Sequence, residues 1–111
     1  MNDDWQTPLW LMKVFQEWDD PCPLNGSGGL EREWGRAVFI NPPYSNPLPW
    51  VQKAIEESKK GKMIVMLLRH DSSTEWWRIL HEYGAHFLAF IGRLHYSDKK
   101  SANFPSVLVI L

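Results

Sequence analysis

Cysteine occurs once, at Cys22, so the chain has no internal disulfide and suits a reducing compartment. An excess of charge of either sign is also missing. Twelve Lys and Arg against thirteen Asp and Glu give a net charge of −1. That removes any bulk electrostatic case for nucleic-acid binding and leaves only local patches, at 59–62 and at Lys99-Lys100. No apolar run approaches the ~20 residues that cross a bilayer, so no membrane partner is expected. The start, Asn2-Asp3-Asp4, lacks the basic region of a signal peptide, which sets the expectation of a cytoplasmic protein. His70, His81, His86 and His95 show no metal-ligand spacing with one another or with Cys22, so no metal is expected. Repeats, low-complexity tracts and linkers are absent as well. The 111 residues suit a single domain spanning 1–111, enough for one core but small for an α/β enzyme.

What is present begins with punctuation. Thr7-Pro8 reads as a helix cap followed by proline at the first helical position, and the apolar spacing predicts a helix over 8–18. Residues 19–33 are rich in turn formers. A short strand is predicted at 36–40, a helix at 49–60 ended by Gly61, and a buried strand at 62–68. Ser72-x-x-Glu75 reads as a capping box opening a helix that Gly84 ends. Strands at 87–91 and 107–111 follow, with 94–96 a candidate continuation of the first. After the first helix the order is β-α-β-α-β-β. Alternation argues an α/β sheet with parallel neighbours, and a last strand reached by a short loop must run antiparallel. This is the pattern of the C-terminal half of a Rossmann-like methyltransferase sheet, truncated, mostly parallel, with an antiparallel C-terminal strand.

Asn41-Pro42-Pro43-Tyr44 directly follows the apolar run 37–40. Consecutive prolines have fixed φ and no N–H, so they stop the strand and freeze an amide, a carbonyl and a ring at its C-terminal end. In open α/β sheets that end is where ligands bind. The group suits methyl transfer to an exocyclic amine, whose lone pair is delocalised into its ring. The Asn41 side-chain oxygen and the Pro42 carbonyl can each accept one amine N–H, favouring a pyramidal, nucleophilic nitrogen. Tyr44 can stack on a flipped-out base. On this reading the ring face acts rather than the hydroxyl, and Tyr44→Phe is expected to be tolerated far better than Tyr44→Ala.

In context the chain resembles the phage-type (Dam-like) DNA N-6-adenine methyltransferases. The resembling segments run in order over nearly the whole chain: Asp4-Trp5-Gln6-Thr7-Pro8, Asp20-Pro21-Cys22-Pro23-Leu24-Asn25, Gly29-Leu30 with Trp34, Asn41-Pro42-Pro43-Tyr44-Ser45 with Trp50-Val51 and Lys53-Ala54, Gly61 before Val65-Met66-Leu67-Leu68, Gly92-Arg93-Leu94, and Phe104-Pro105-Ser106. The resemblance implies S-adenosylmethionine as donor, adenine N6 in double-stranded DNA as acceptor, and Asn41, Pro42, Pro43 and Tyr44 as the catalytic element. It further implies Trp5, Thr7, Pro8, Asp20, Pro21 and Cys22 on the donor side, with Thr7-Pro8 holding the carboxylate at a helix N-terminus and Asp20 the ammonium. Ser45, Arg69, His70, Arg93, Lys99 and Lys100 are the candidate DNA contacts. The expected setting is a bacterial or phage-infected cell.

Departures from that pattern set further expectations. Only the residues between Cys22 and Pro42 are available where a full Rossmann sheet needs two more βα units. The donor's ribose has no assigned partner, and two missing hydrogen bonds imply binding about 30-fold weaker, in the range of tens of micromolar or poorer. An uncovered apolar face predicts a homo-oligomer. Two other readings stand beside the DNA enzyme: a catalytically silent DNA- or protein-binding relic of the family, and a protein glutamine-amide methyltransferase, since Asn-Pro-Pro-Tyr also suits a planar amide.

Overall fold

The computed structural model describes residues 6–23, 28–96 and 104–111. They form a small α/β domain around one four-stranded mixed sheet, with α1 at Leu9–Val14, β1 at Ala37–Ile40, α2 at Leu48–Ser58, β2 at Met63–Arg69, α3 at Glu75–Tyr83, β3 at His86–Ala89 and β4 at Ser106–Ile110. The spatial order is β1-β2-β4-β3. β1 and β2 are parallel, with Val38 opposite Ile64 and Ile40 opposite Met66. β4 runs antiparallel to both β2 and β3. Three strands therefore share one direction and the C-terminal strand opposes them, as expected. The sheet is not mostly parallel in its pairing, however, because β4 is inserted between β2 and β3 and two of the three ladders are antiparallel. Composition explains the insertion. Val-Leu-Val-Ile fills an interior position, whereas β3, which opens with the exposed His86 and carries the exposed Leu88, takes the edge.

One face of the sheet, carrying Val38, Ile40, Ile64, Met66, Leu68, Val107 and Val109, packs against α2 and α3. The other face, carrying Phe39, Val65 and Leu67, is covered by Leu11 of α1 and by Leu94, Tyr96 and Phe104. β2 is buried at five consecutive positions because it lies between two strands and two layers. α2 starts at Pro47, with another proline in its first turn, where the missing N–H has no helical partner to lose.

Three expected boundaries move. α1 stops at Val14 rather than 18, because Phe15 leaves the helix to stack on Phe39 at 4.5 Å and meets Trp18 edge-on at 4.9 Å. The chain is then extended at Asp19, which pairs with β1. Packing overrides helical periodicity there. Pro8, not Thr7, occupies the cap position of α1. The cap of α3 is Thr74, whose hydroxyl accepts from the Trp77 N–H at 3.3 Å, so Ser72-x-x-Glu75 is not the capping box. Gly84 ends that helix at φ 95°, as expected. Residues 94–96 do not extend β3.

Candidate functional site

β1, β2 and β3 all point their C-terminal ends at one rim, and the antiparallel β4 begins there. That rim collects Asn41 after β1, Arg69 at the end of β2 and Phe104-Pro105-Ser106 at the start of β4. The His70 N–H donates to the Pro105 carbonyl at 2.9 Å and ties two of these segments together.

The Asn-Pro-Pro-Tyr element is held at both ends. The Asn41 Nδ2 donates to Thr7 Oγ1 at 3.0 Å, which fixes the plane of the carboxamide. Its Oδ1 is buried. Pro42 is buried, and Pro43 and Tyr44 are half-buried. The Tyr44 hydroxyl donates to the Leu67 carbonyl at 3.2 Å and lies 3.0 Å from the Tyr96 hydroxyl, which lies 2.9 Å from Ser106 Oγ. A carbonyl only accepts, so the protons run in one direction: Ser106 to Tyr96 to Tyr44 to Leu67. The Tyr44 ring meets Phe104 edge-on at 5.5 Å and Tyr96 edge-on at 6.4 Å. Burial first, then the neighbouring Tyr96, pushes the Tyr44 phenol well above its ordinary pKa, so it stays neutral and is no general base. Both the hydroxyl and the ring edges of Tyr44 are thus engaged by the protein.

The donor-side residues approach the same rim from the other edge of β1. The Asp19 N–H donates to the Ala37 carbonyl at 2.9 Å and the Phe39 N–H to the Asp19 carbonyl at 3.0 Å, a one-residue parallel bridge to Val38. Among the described residues, this bridge stands where a full first strand would pair. It nevertheless aims Asp20-Pro21-Cys22 toward the end of β1 where Asn41 lies. Arg32 grips Asp19 with two bonds of 2.9 Å and holds its carboxyl below the usual range. The Cys22 N–H donates to Asp20 Oδ1 at 3.1 Å, while the cysteine side chain packs on the α2–α3 core. Desolvation, aided by the neighbouring Asp19, pushes the Asp20 carboxyl up, an environment that an added cation would relieve. Gly29 closes over this segment, since a Cβ there would stand 1.9 Å from the Pro21 carbonyl oxygen. The Trp34 indole donates to the Gly29 carbonyl at 2.8 Å and keeps the loop in place.

The candidate DNA contacts separate. Arg69 points to the Asn41 and Tyr44 side and lies over the Phe104 ring at 4.9 Å. His70 turns to the other face, where it stacks on Trp77 at 5.1 Å, with Trp77 on Phe87 at 4.3 Å. Ser45 is exposed beside Tyr44. Arg93 is exposed beyond β3, next to the buried Leu94. Trp5, Lys99 and Lys100 lie outside the described residues. Among the described residues no cluster of His, Cys, Asp or Glu could hold a metal, and no helix is long and apolar enough to cross a membrane.

Sequence reasoning passed over Glu57, 1% exposed inside the fold. It accepts from the Trp34 N–H at 3.2 Å, from Lys60 at 3.0 Å and from Lys62. Burial pushes its carboxyl up, but those partners outweigh burial and hold it at about 2. A glutamate on the apolar stripe of α2, two residues after Ile55, was the available signal. The hydroxyl line through Tyr96 and Ser106 left only a weaker one, in the segments around Leu94 and Phe104.

A model of the DNA N-6-adenine-methyltransferase (Dam) family matches residues 25–111. A DNA N-6-adenine-methyltransferase of Haemophilus phage HP1 (strain HP1c1) is 35% identical over 95 residues, covering 68% of this chain and 55% of that protein. A DNA N-6-adenine-methyltransferase of Escherichia phage T1 is 48% identical over 50 residues, covering 43% of this chain and 21% of that protein. The chain thus spans about half the length of the first relative and a fifth of the second. No solved structure matches.

Proposed function

The chain belongs to the DNA N-6-adenine-methyltransferase (Dam) family, and from that membership we propose that it methylates adenine N6 in double-stranded DNA, with S-adenosylmethionine as donor, in the cytoplasm of a bacterial or phage-infected cell. The observation that carries this reading is Asn41, held by Thr7 at the C-terminal end of β1 and followed by two prolines and the anchored Tyr44. Asn41 Oδ1 and the Pro42 carbonyl accept the two N–H groups of the target amine. The nitrogen lone pair is thereby turned toward the incoming methyl carbon, and the amine sheds its surplus proton to water. Tyr44 supports the flipped base with its ring while its hydroxyl stays in the protein. Arg69 and Ser45 meet the DNA backbone around the target.

The bound donor supplies an electrophilic sulfonium methyl and leaves as a neutral thioether. The residues present fit its amino-acid end. Asp20 offers a desolvated carboxylate to the ammonium, at the same rim as Asn41. Thr7 joins the two sides, because the hydroxyl expected near the donor's carboxylate is the one that orients Asn41. The fold behind this is a Rossmann-like methyltransferase sheet reduced on the donor side to the Asp19 bridge.

Methyl-labelled S-adenosylmethionine incubated with the protein and an adenine-containing duplex tests the reading. N6-methyladenine in the nuclease digest is the expected product. Label in glutamine peptides but not in DNA favours the protein-amide enzyme. Transfer to neither substrate by folded protein favours the relic.

A further inference from the structure

The Tyr44 side chain packs against the core, and what its hydroxyl reaches is not a lone partner. Tyr96 is 1% exposed and Ser106 fully buried, and their hydroxyls continue the line from Tyr44 at 3.0 and 2.9 Å. Ser106 is the first residue of β4, paired with Arg69 across the ladder. Tyr96 and Phe104 both touch the Tyr44 ring edge-on, so the ring is bounded on its sides as well as at its tip. The Tyr44 hydroxyl has its acceptor in Leu67, and Tyr96 adds a donated hydrogen bond and a ring edge that together fix the tilt of Tyr44. We propose that Tyr96, backed by Ser106, is a positioning residue that sets the height and plane of the Tyr44 ring at the rim of the acceptor site.

The inference rests on the reading that Tyr44 meets the acceptor base, and it goes beyond it by assigning functional roles to two residues that touch no substrate. The protein stays neutral along this line. Burial pushes both phenols above their ordinary pKa, so both hydroxyls stay protonated and serve to orient the ring.

The test is Tyr96→Phe, which removes one oxygen and keeps the ring. Tyr83→Phe is the matched control, because Tyr83 makes the same kind of bond to Ser58 at 2.9 Å elsewhere in the fold. The chain has three tyrosines, so ring carbons labelled in tyrosine give three resolvable NMR signals. In Tyr96→Phe the Tyr44 signal is expected to shift and broaden while the Tyr83 signal stays put. In the methylation assay, kcat/KM for DNA is expected to fall about tenfold or more, with donor affinity unchanged, since small misplacement of a contact group is costly. Ser106→Ala shifts the same Tyr44 signal less, and Tyr83→Phe leaves turnover alone. A Tyr44 signal that does not move in Tyr96→Phe overturns the proposal whatever the activity. A moved signal with unchanged turnover in active enzyme also overturns it. A wild type that methylates no DNA, with the Tyr44 signal still responding to Tyr96, removes the proposed function but leaves the coupling standing.

Discussion

On the β2 side of β1 the sheet continues through three full ladders, whereas on its other side one residue, Asp19, pairs with Val38. The proposed acceptor chemistry lies on the first side. Asn41 and Tyr44 stand on strand ends whose backbones are paired, and Tyr44 is bonded into the core. The proposed donor side is held mainly by side chains, Arg32 on Asp19, Trp34 on Gly29, and Glu57 on the Trp34 N–H and Lys62, with the Gly29 backbone closed against Pro21. Side-chain clamps can order a loop, but each is a single point of failure. The two halves of a methyl transfer need not be built with equal redundancy.

Breaking the donor-side clamps should therefore cost stability there first. Glu57→Gln leaves the ammonium groups around it without their carboxylate and is expected to destabilise the fold by about 3 kcal/mol in urea titration. Its pH dependence follows from the sign of the shift. A carboxyl held at about 2 against an ordinary 4.5 contributes stability above pH 4.5, and that contribution drains away as pH falls toward 2. Wild type should lose stability over that window more steeply than Glu57→Gln, and parallel curves would remove Glu57 from the account. Gly29→Ala drives a methyl into the Pro21 carbonyl and is expected to cost about 2 kcal/mol and to weaken donor binding in calorimetry. Full stability in the Gly29→Ala variant would mean the loop is not held closed there.

On the acceptor side the expected stability effects are smaller. Tyr44→Phe removes one hydroxyl from a bonded line and should cost about 1 kcal/mol in the same titration. Donor binding offers the finest comparison. Asp20 is pushed up in the free protein and an ammonium would bring it back down, so affinity for S-adenosylmethionine should rise as pH climbs through its titration. Asp20→Asn should flatten that rise, and an unchanged slope excludes Asp20 from the donor site. The exposed Leu9, Trp10 and Val14 of α1, at 69, 56 and 64%, keep a homo-oligomer within the proposal. Light scattering at micromolar concentration tests it, and the mass of one chain counts against it.

Legibility in the sequence followed the same divide. Apolar runs located every strand, since 62–68 and 107–111 have no other stable environment, and Asn-Pro-Pro-Tyr marked the end of β1 because proline chemistry is local. The place of β4 was only half readable: its apolar run suits an interior position, but which strands flank it is chosen by the whole sheet. The Asn41–Thr7 bond, which spans 34 positions, was not readable. Phe15 and Trp18 fitted a helical stripe and were claimed instead by packing on β1. The hydrogen bonds of the Tyr44 hydroxyl were not readable for a related reason. Its role depends on Tyr96 and Ser106, which reach it only once β4 has entered the sheet.

The central claim is that Asn41 activates the acceptor amine, and one variant addresses it directly. Asn41→Ala should retain its fold and its affinity for S-adenosylmethionine while methyl transfer to duplex adenine falls on the order of 10²–10³-fold, the usual cost of losing one preorganised hydrogen-bonding group in an active site. Turnover equal to wild type, with N6-methyladenine still the product, would contradict the account.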